Sequence, residues 1–150
     1  MKQEFYNLQI NTNGQKLYEF TNQTIDWINN NNFKNGMLNL SIQHTSASLI
    51  VQENADPDVQ TDLINYFNKL APMDEKLYIH TTEGKDDMPA HIKSALTNNQ
   101  ISLSVKEGEL LLGTWQGLYL FEHRINQQNR RIIHHYLGAV SYTHLRAHET

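Results

Sequence analysis

Short apolar or loosely alternating runs, separated by turn residues, predict that strands dominate this chain. Alternating runs cover residues 3–10 and 15–20, and Asn11-Thr12-Asn13-Gly14 between them favours a hairpin, because Asn-Gly tolerates the positive φ of such turns. Glu107-Gly108 predicts a second hairpin. The other predicted strands are 36–44, 47–52 (its continuation or a neighbour), 76–80, 101–105, 109–112, 118–122 and 131–136.

Three further segments carry apolar residues at helical spacing. Thr21 is a candidate N-cap for the first helix, which the four asparagines 29–32 would end. Asp56-Pro57 predicts the start of the second, because Asp caps well and proline fits the first turn. The third is expected over 89–97. Hairpins between neighbouring strands favour an α+β fold with a mainly antiparallel, sandwich-like sheet and about three helices.

Composition narrows the class of protein. The 150 residues suit one domain, expected over 1–138, while 139–150 show neither strand nor helix periodicity and are predicted to be a disordered or non-native tail. We exclude that tail, with its His144 and His148, from the chemistry. No cysteine is present, which excludes disulfides and thiolate chemistry. Without an apolar segment of ~20 residues or a secretory signal, a cytoplasmic protein with no membrane contact is expected.

The charge distribution argues against nucleic acid. The formal net charge is −4, with 12 basic and 16 acidic residues. Nucleic-acid binding by counterion release needs a clustered basic face, and only Arg124, Arg130 and Arg131 come close to one. We therefore expect no nucleic-acid partner.

Candidate chemistry lies where polar residues interrupt the apolar runs. His44, His80 and His91 each stand at the end or start of an element, so three neutral imidazoles could converge on a metal ion with an open position. Each could instead be a separate, hydrogen-bonded histidine, and spacing alone favours this alternative because it matches no short metal motif. Candidate carboxylates for base, ligand or orienting roles are Glu53 and Glu122 at strand ends, Asp87 at a helix start, and Asp62, which with Asp58 could also be an acidic first helical turn.

Hydroxyl groups and glycines suggest an anion site. Thr45, Ser46 and Ser48 could bind phosphate through hydroxyls and backbone amides, and Gly113 and Gly117 would let the backbone approach a ligand closely. No Walker loop, dinucleotide loop or Gly-x-Ser-x-Gly elbow is present. Trp115 could be core or pocket wall.

Four segments in sequence resemble the YjbQ family, also called UPF0047. The resemblance runs over about residues 5–131 or slightly beyond. The four segments are His44-Thr45-Ser46-Ala47-Ser48-Leu49, Glu53-Asn54-Ala55-Asp56-Pro57-Asp58-Val59, Glu83-Gly84-Lys85-Asp86-Asp87-Met88-Pro89-Ala90-His91-Ile92-Lys93-Ser94, and Gly113-Thr114-Trp115-Gln116-Gly117 with Glu122 and Arg124. The resemblance implies a compact α+β domain that forms a homotrimer. It also implies a weak thiamine-phosphate synthase activity, beside a physiological reaction that is unsettled. The pocket it implies contains His44, His80, His91, Glu53, Asp62, Asp87 and Glu122, lined by Thr45, Ser46, Ser48, Trp115 and Gln116.

The implied reaction joins a pyrimidine-methyl diphosphate to a thiazole phosphate and releases diphosphate. Such a step needs the leaving-group charge neutralised more than it needs a protein nucleophile. We expect His44, His80 and His91 to hold a divalent ion, Zn or Mg, while Glu53 or Glu122 orients or deprotonates, and Lys93 or Arg124 can also neutralise charge. Two alternatives are a non-catalytic phosphate-binding module and a metal-assisted hydrolase of a phosphorylated metabolite.

Overall fold

The computed structural model describes residues 1–139, and these form eight strands, three α-helices and one short 3₁₀ turn. The helices are α1 (Thr21–Asn30), α2 (Pro57–Leu70) and α3 (Asp87–Leu96). The strands are β1 (Lys2–Thr12), β2 (Lys16–Glu19), β3 (Gly36–Ser41), β4 (Ala47–Glu53), β5 (Gln100–Lys106), β6 (Glu109–Leu110), β7 (Gln116–Glu122) and β8 (Gln128–Gly138). In this part of the chain no helix combines the length and the apolar character that a bilayer crossing needs.

The strands form two antiparallel sheets that share one core, so the α+β prediction is confirmed. The larger sheet has the order β1-β8-β3-β5-β6 and the smaller one β2-β7-β4. Buried side chains of both sheets meet between them: Leu38, Leu40, Ile132 and Tyr136 with Leu49, Leu118 and Leu120. Helix α2 covers the outer face of the smaller sheet, where Phe67 packs edge-on against Phe121.

The hairpin predicted between β1 and β2 is wrong. β1 pairs along its whole length with β8, and β2 pairs with β7 in the other sheet. Gly14, at φ +94°, does make the expected bend, and the Tyr18 hydroxyl donates to its carbonyl. A bend fixes where the chain turns but not its partner, and here the eleven-residue β8 pairs with all of β1. β4 is likewise neither a continuation nor a neighbour of β3, since it belongs to the smaller sheet.

The strand predicted at 76–80 is absent. Residues Glu75–Leu77 form a 3₁₀ turn, capped by Asp74, whose carboxylate accepts from the Lys76 N–H. The alternating Leu77 and Ile79 suggested a half-buried strand, yet both side chains face solvent and Ile79 is fully exposed. Alternation alone cannot show whether a sheet edge is available to pair with.

The remaining local signals behave largely as expected. Asp56 caps α2 by accepting from the Asp58 N–H, and Glu107 and Gly108 turn between β5 and β6 with φ of 52° and 82°. Thr21 is the first helical residue rather than the cap of α1, and its hydroxyl accepts from the Leu118 N–H. Apart from Ala139, the predicted tail lies outside the described residues.

Candidate functional site

Four side chains with metal-ligand atoms converge at the start of α3. They are His80, Glu83, Asp87 and His91, and one ligand atom of each lies within 4.8 Å of the others. The Oδ2 atom of Asp87 is the centre: it lies 2.7 Å from His80 Nε2 and 3.1 Å from His91 Nε2. Asp87 is buried, whereas His80 and Glu83 face solvent. We call these four residues the α3 cluster.

The local sequence explains how the α3 cluster forms. Asp87 and His91 are four apart on α3 and therefore share one helix face. Gly84 adopts φ +108°, a conformation that side chains resist, and its carbonyl accepts from the Asp87 N–H. This turn brings the preceding His80 and Glu83 back over the first turn of the helix. Helix and glycine turn together put all four groups on one side.

Arg124, two residues after the end of β7, holds the α3 cluster in place. Its Nη1 donates to the other Asp87 oxygen at 2.7 Å, its Nε donates to Asp86 at 2.9 Å, and its Nη2 donates to the Glu83 carbonyl at 3.0 Å. A fork of this kind fixes the orientation of the carboxylates. Arg124 was expected to contact phosphate, but the structure directs it to the carboxylates that support the cluster.

The electrostatics of the cluster favour a cation. Burial alone would raise the pKa of Asp87, but its hydrogen bond with His80 and the charges of His91 and Arg124 outweigh that and hold its pKa below the usual range. The same hydrogen bond raises the pKa of His80. The carboxylates of Asp86 and Asp87 pair with the guanidinium of Arg124, and the Glu83 carboxylate lies 3.4 Å from His80 Nε2, so with neutral imidazoles the three carboxylates outnumber the one guanidinium. The excess negative charge attracts cations.

A backbone carbonyl orients the ring of His91. Its Nδ1 lies 2.9 Å from the Thr45 oxygen, which can only accept, so Nδ1 donates to it. The Nε2 atom faces the Asp87 Oδ2 atom at 3.1 Å. Metal-binding histidines are commonly oriented in this way, with one ring nitrogen donating to a carbonyl and the other facing the ion.

The structure brings His80 and His91 together but not His44. The His44 Nε2 accepts from the Arg131 N–H at 3.1 Å, so its ring faces strand β8 and lies outside the α3 cluster. It lines a separate cleft with Asn7, Gln43, Asn129, Arg131 and Ile133. Spacing along the chain could not show this, since the loop that carries His44 contacts α3 on one side and β8 on the other.

Glu122, expected to be catalytic, is fully buried in an ion pair. It accepts from Arg130 Nε at 2.7 Å and Nη2 at 2.6 Å, from the Thr12 hydroxyl at 2.5 Å, and from the backbone N–H groups of His123 and Arg124. Five donors saturate the carboxylate. Its position indicates a structural role, because no acceptor site is left for a substrate proton.

Most of the predicted phosphate ligands point into the protein. Ser46 is buried and accepts from Arg130, and Ser48 is buried against His123. The Lys93 ammonium is buried too and donates to Asn68 at 2.6 Å, and burial lowers its pKa. Thr45 is exposed, but its carbonyl, not its hydroxyl, reaches His91.

A second group of predicted residues lies at the opposite end of the smaller sheet. Glu53 pairs with Gln116 at one end of the β4–β7 ladder, whereas Ala47 pairs with Glu122 at the other. Six residues at ~3.3 Å each separate these ends by roughly 20 Å. The other members of this group are Trp115, which is 63% exposed, and Asp62, which is exposed on α2. The structure does not join these residues to the α3 cluster.

The two glycines of this region approach protein rather than an open cleft. A Cβ on Gly117 would lie 2.6 Å from a carboxylate oxygen of Glu19 and 3.1 Å from Asn54. A Cβ on Gly113 would lie 3.3 Å from the Gln116 side chain, which accepts from the Gly113 N–H. Side chains of the protein, rather than space for a ligand, lie where a Cβ of either glycine would be.

Sequence reasoning missed two buried histidines. His123 bonds Ser48 through Nε2, and burial lowers its pKa to about 3; its Nδ1 has no partner within residues 1–139. His134 bonds the Thr24 hydroxyl at 2.8 Å, and burial lowers its pKa to about 4. Glu83 was also missed as a ligand, although its three-residue spacing from His80 was a usable signal.

Comparison with known proteins gives one consistent result. Residues 6–139 match the family model described as UPF0047 protein YjbQ-like. UPF0047 protein sll1880 from Synechocystis is 47% identical over 89% of this chain and 90% of its own. UPF0047 protein MJ1081 from Methanocaldococcus jannaschii is 37% identical over 78% of this chain and 83% of its own.

A solved structure shares the fold. It is an uncharacterised YjbQ/UPF0047 family protein from Clostridium acetobutylicum, with a TM-score of 0.78 and 28% identity, covering 89% of this chain and 99% of that one. The matched residues include all four members of the α3 cluster. The chain belongs to the YjbQ (UPF0047) family.

Proposed function

We propose that the α3 cluster binds one divalent cation, and that this centre serves an enzyme acting on a small phosphorylated metabolite. The observation that carries the proposal is the convergence of His80, Glu83, Asp87 and His91 within 4.8 Å. Two imidazoles and two carboxylates are a four-ligand set of the kind that zinc sites use.

The donor set favours a zinc-class ion over magnesium. Imidazole nitrogen suits zinc and its first-row neighbours, whereas magnesium prefers oxygen ligands and retains water. The supporting contacts also fit, because Thr45 orients His91 and Arg124 orients Asp87. The four residues of the α3 cluster would hold the ion at the start of α3.

Bound there, the ion would supply positive charge to phosphate oxygens. The chain's own residues do the rest. Arg124 keeps Asp87 ionised and holds its orientation. Glu83, whose side chain is 65% exposed, could move away from the ion to make room for a substrate oxygen, or could accept a proton. A site that neutralises charge without a nucleophile suits the departure of diphosphate.

The reaction that we propose for this site is thiamine-phosphate synthesis as a side activity. The ring nitrogen of the thiazole phosphate attacks the pyrimidine methylene carbon, and the carbon–oxygen bond to diphosphate breaks. Support comes from the family resemblance and from the charge-neutralising character of the α3 cluster. The physiological substrate would be another small phosphorylated metabolite.

We also propose that the chain forms homotrimers. Several large apolar side chains on α2 and the following segment face solvent in one chain: Tyr66, Leu70, Leu77 and Ile79. Covering them would remove apolar area from water next to His80. Light scattering that gives a mass of one chain would contradict this arrangement.

The first experiment tests the metal. Protein stripped with EDTA is titrated calorimetrically with Zn²⁺ and with Mg²⁺. One zinc per chain should bind, and Mg²⁺ should bind far more weakly. Asp87→Asn removes the central oxygen charge and should weaken zinc binding by at least about a hundredfold. Asp62→Asn, an exposed carboxylate outside the cluster, is the matched control. Equal zinc affinity in both variants would refute the site.

The second experiment tests the chemistry. Zinc-loaded protein is given the pyrimidine diphosphate and the thiazole phosphate, and thiamine phosphate and diphosphate are measured together. Equal release of both products supports the transferase. Release of inorganic phosphate from either substrate would instead indicate a hydrolase. A higher melting temperature without turnover would indicate a non-catalytic binding module, because ligand binding stabilises the native state in any case.

A further inference from the structure

The cleft that holds His44 is lined by five polar residues and one isoleucine. It lies between the loop after β3 and the outer face of strands β1 and β8, and it has a volume of about 330 Å³. Its lining residues are Asn7, Gln43, His44, Asn129, Arg131 and Ile133, so no carboxylate of residues 1–139 lines it. We call it the His44 cleft.

The tautomer of His44 makes its free nitrogen a donor. Its Nε2 accepts from the Arg131 N–H at 3.1 Å and is therefore unprotonated. In a neutral ring the proton then resides on Nδ1. Burial, followed by the charge of Arg130, lowers the pKa of His44 and keeps the ring neutral. The ring thus has a fixed orientation with one N–H donor.

Two other lining residues also present donors. The Asn129 Oδ1 atom accepts from Gln9 at 2.8 Å, which leaves its NH₂ group to donate. The guanidinium of Arg131 pairs with no carboxylate of residues 1–139, whereas Arg124 and Arg130 are both neutralised by ion pairs. A positive charge beside neutral donors, with no acid among them, is complementary to an oxyanion.

We propose that the His44 cleft binds a phosphate group, held by the Arg131 guanidinium, the His44 Nδ1–H and the Asn129 amide. The volume leaves room for the moiety that carries the phosphate. The cleft is separate from the α3 cluster, since the two have no residue in common. The proposal therefore goes beyond the metal centre and does not depend on it.

The test uses the full chain freed of metal with EDTA, so that a failed metal site leaves the result readable. Inorganic phosphate is titrated at constant ionic strength, while NMR follows the ring signals of His44. The wild type should show a saturable shift of those signals. The Arg131→Gln variant should weaken phosphate binding by at least about tenfold, the usual scale for losing a charge-assisted hydrogen bond.

Two further variants make the test specific. Lys106→Gln removes an equal charge from an exposed site outside the cleft and should leave phosphate affinity unchanged. Asn129→Asp keeps the acceptor for Gln9 but adds a negative charge, so it should abolish binding. Absence of a saturable shift in the wild type, or equal losses in Arg131→Gln and Lys106→Gln, would overturn the proposal.

Discussion

Replacing Glu122 by glutamine should destabilise the protein severely. The side chains have the same shape, but glutamine offers an NH₂ group where Arg130 and the backbone donate. Donors would then face donors, and the Arg130 charge, only 4% exposed, would lose its partner. Removing one member of a buried pair costs about 3–5 kcal/mol.

That loss is large against the whole stability of a domain, which is typically about 5–15 kcal/mol. For a chain of this size it corresponds to a fall in Tm of roughly 6–20 °C. Urea unfolding at one fixed protein concentration measures the change, and an unchanged m-value shows that only stability moved. Asp62→Asn, on the exposed side of α2, should stay within about 0.5 kcal/mol of the wild type.

Two outcomes would contradict a structural role for Glu122. If Glu122→Gln keeps its stability within about 1 kcal/mol, the carboxylate does not anchor the ion pair as argued. If that stable variant also loses turnover, Glu122 is catalytic, as the sequence had suggested. A folded but destabilised variant that retains zinc binding would instead confirm the structural role.

Three further predictions test other parts of the structure. His123 and His134 have pKa values of about 3 and 4 when folded, far below 6.5. The unfolded chain therefore binds protons that the native chain cannot, and the free energy of unfolding should fall by roughly 1.5–2.5 kcal/mol per pH unit as pH drops from 6.5 to 5. Urea unfolding of His134→Gln should show about half that slope, and an unchanged slope would contradict it. Gly36→Ala would place a Cβ within 2.7 Å of Gly138 Cα, so the urea midpoint should show a loss of about 1–3 kcal/mol, and a neutral result would refute the close approach. Arg124→Lys keeps the positive charge but cannot make the paired hydrogen bonds to Asp86 and Asp87. Calorimetry should therefore show a zinc affinity about 10–100-fold lower, with the fold intact. Unchanged zinc affinity would show that Arg124 does not support the metal ligands.

Local signals in the sequence predicted the elements well, because they depend on a few neighbouring residues. Asp56-Pro57 starts α2, and Glu107-Gly108 makes a tight turn with positive φ at both residues. Partner choice was predicted poorly, since Asn13-Gly14 bends the chain but cannot specify that β1 pairs with β8. The sequence also could not predict that Ile79, an apolar residue, lies fully exposed on the surface.

The same distinction applies to the candidate site: residues close in sequence could be grouped in advance, whereas residues that meet only in the fold could not. His91 and Asp87 could be grouped from sequence because four residues on a helix guarantee proximity. His44 could not be assigned, since its neighbour in space, Arg131, is distant in sequence. Glu122 followed a strand and was expected to be catalytic, but only its ion pair with Arg130 shows that it is fully buried.

The pairing of β1 with β8 has a consequence for how the chain folds. Gln9 and Asn129, 120 positions apart, are joined directly, and β8 also supplies the neighbour of β3. The larger sheet therefore cannot be completed until distant segments meet, and contacts of such high sequence separation slow folding to roughly milliseconds or seconds. Until then, β3 lacks one of its two partners. A nascent chain would thus expose an unpaired strand edge until β8 has been made, which is the stage at which aggregation competes with folding.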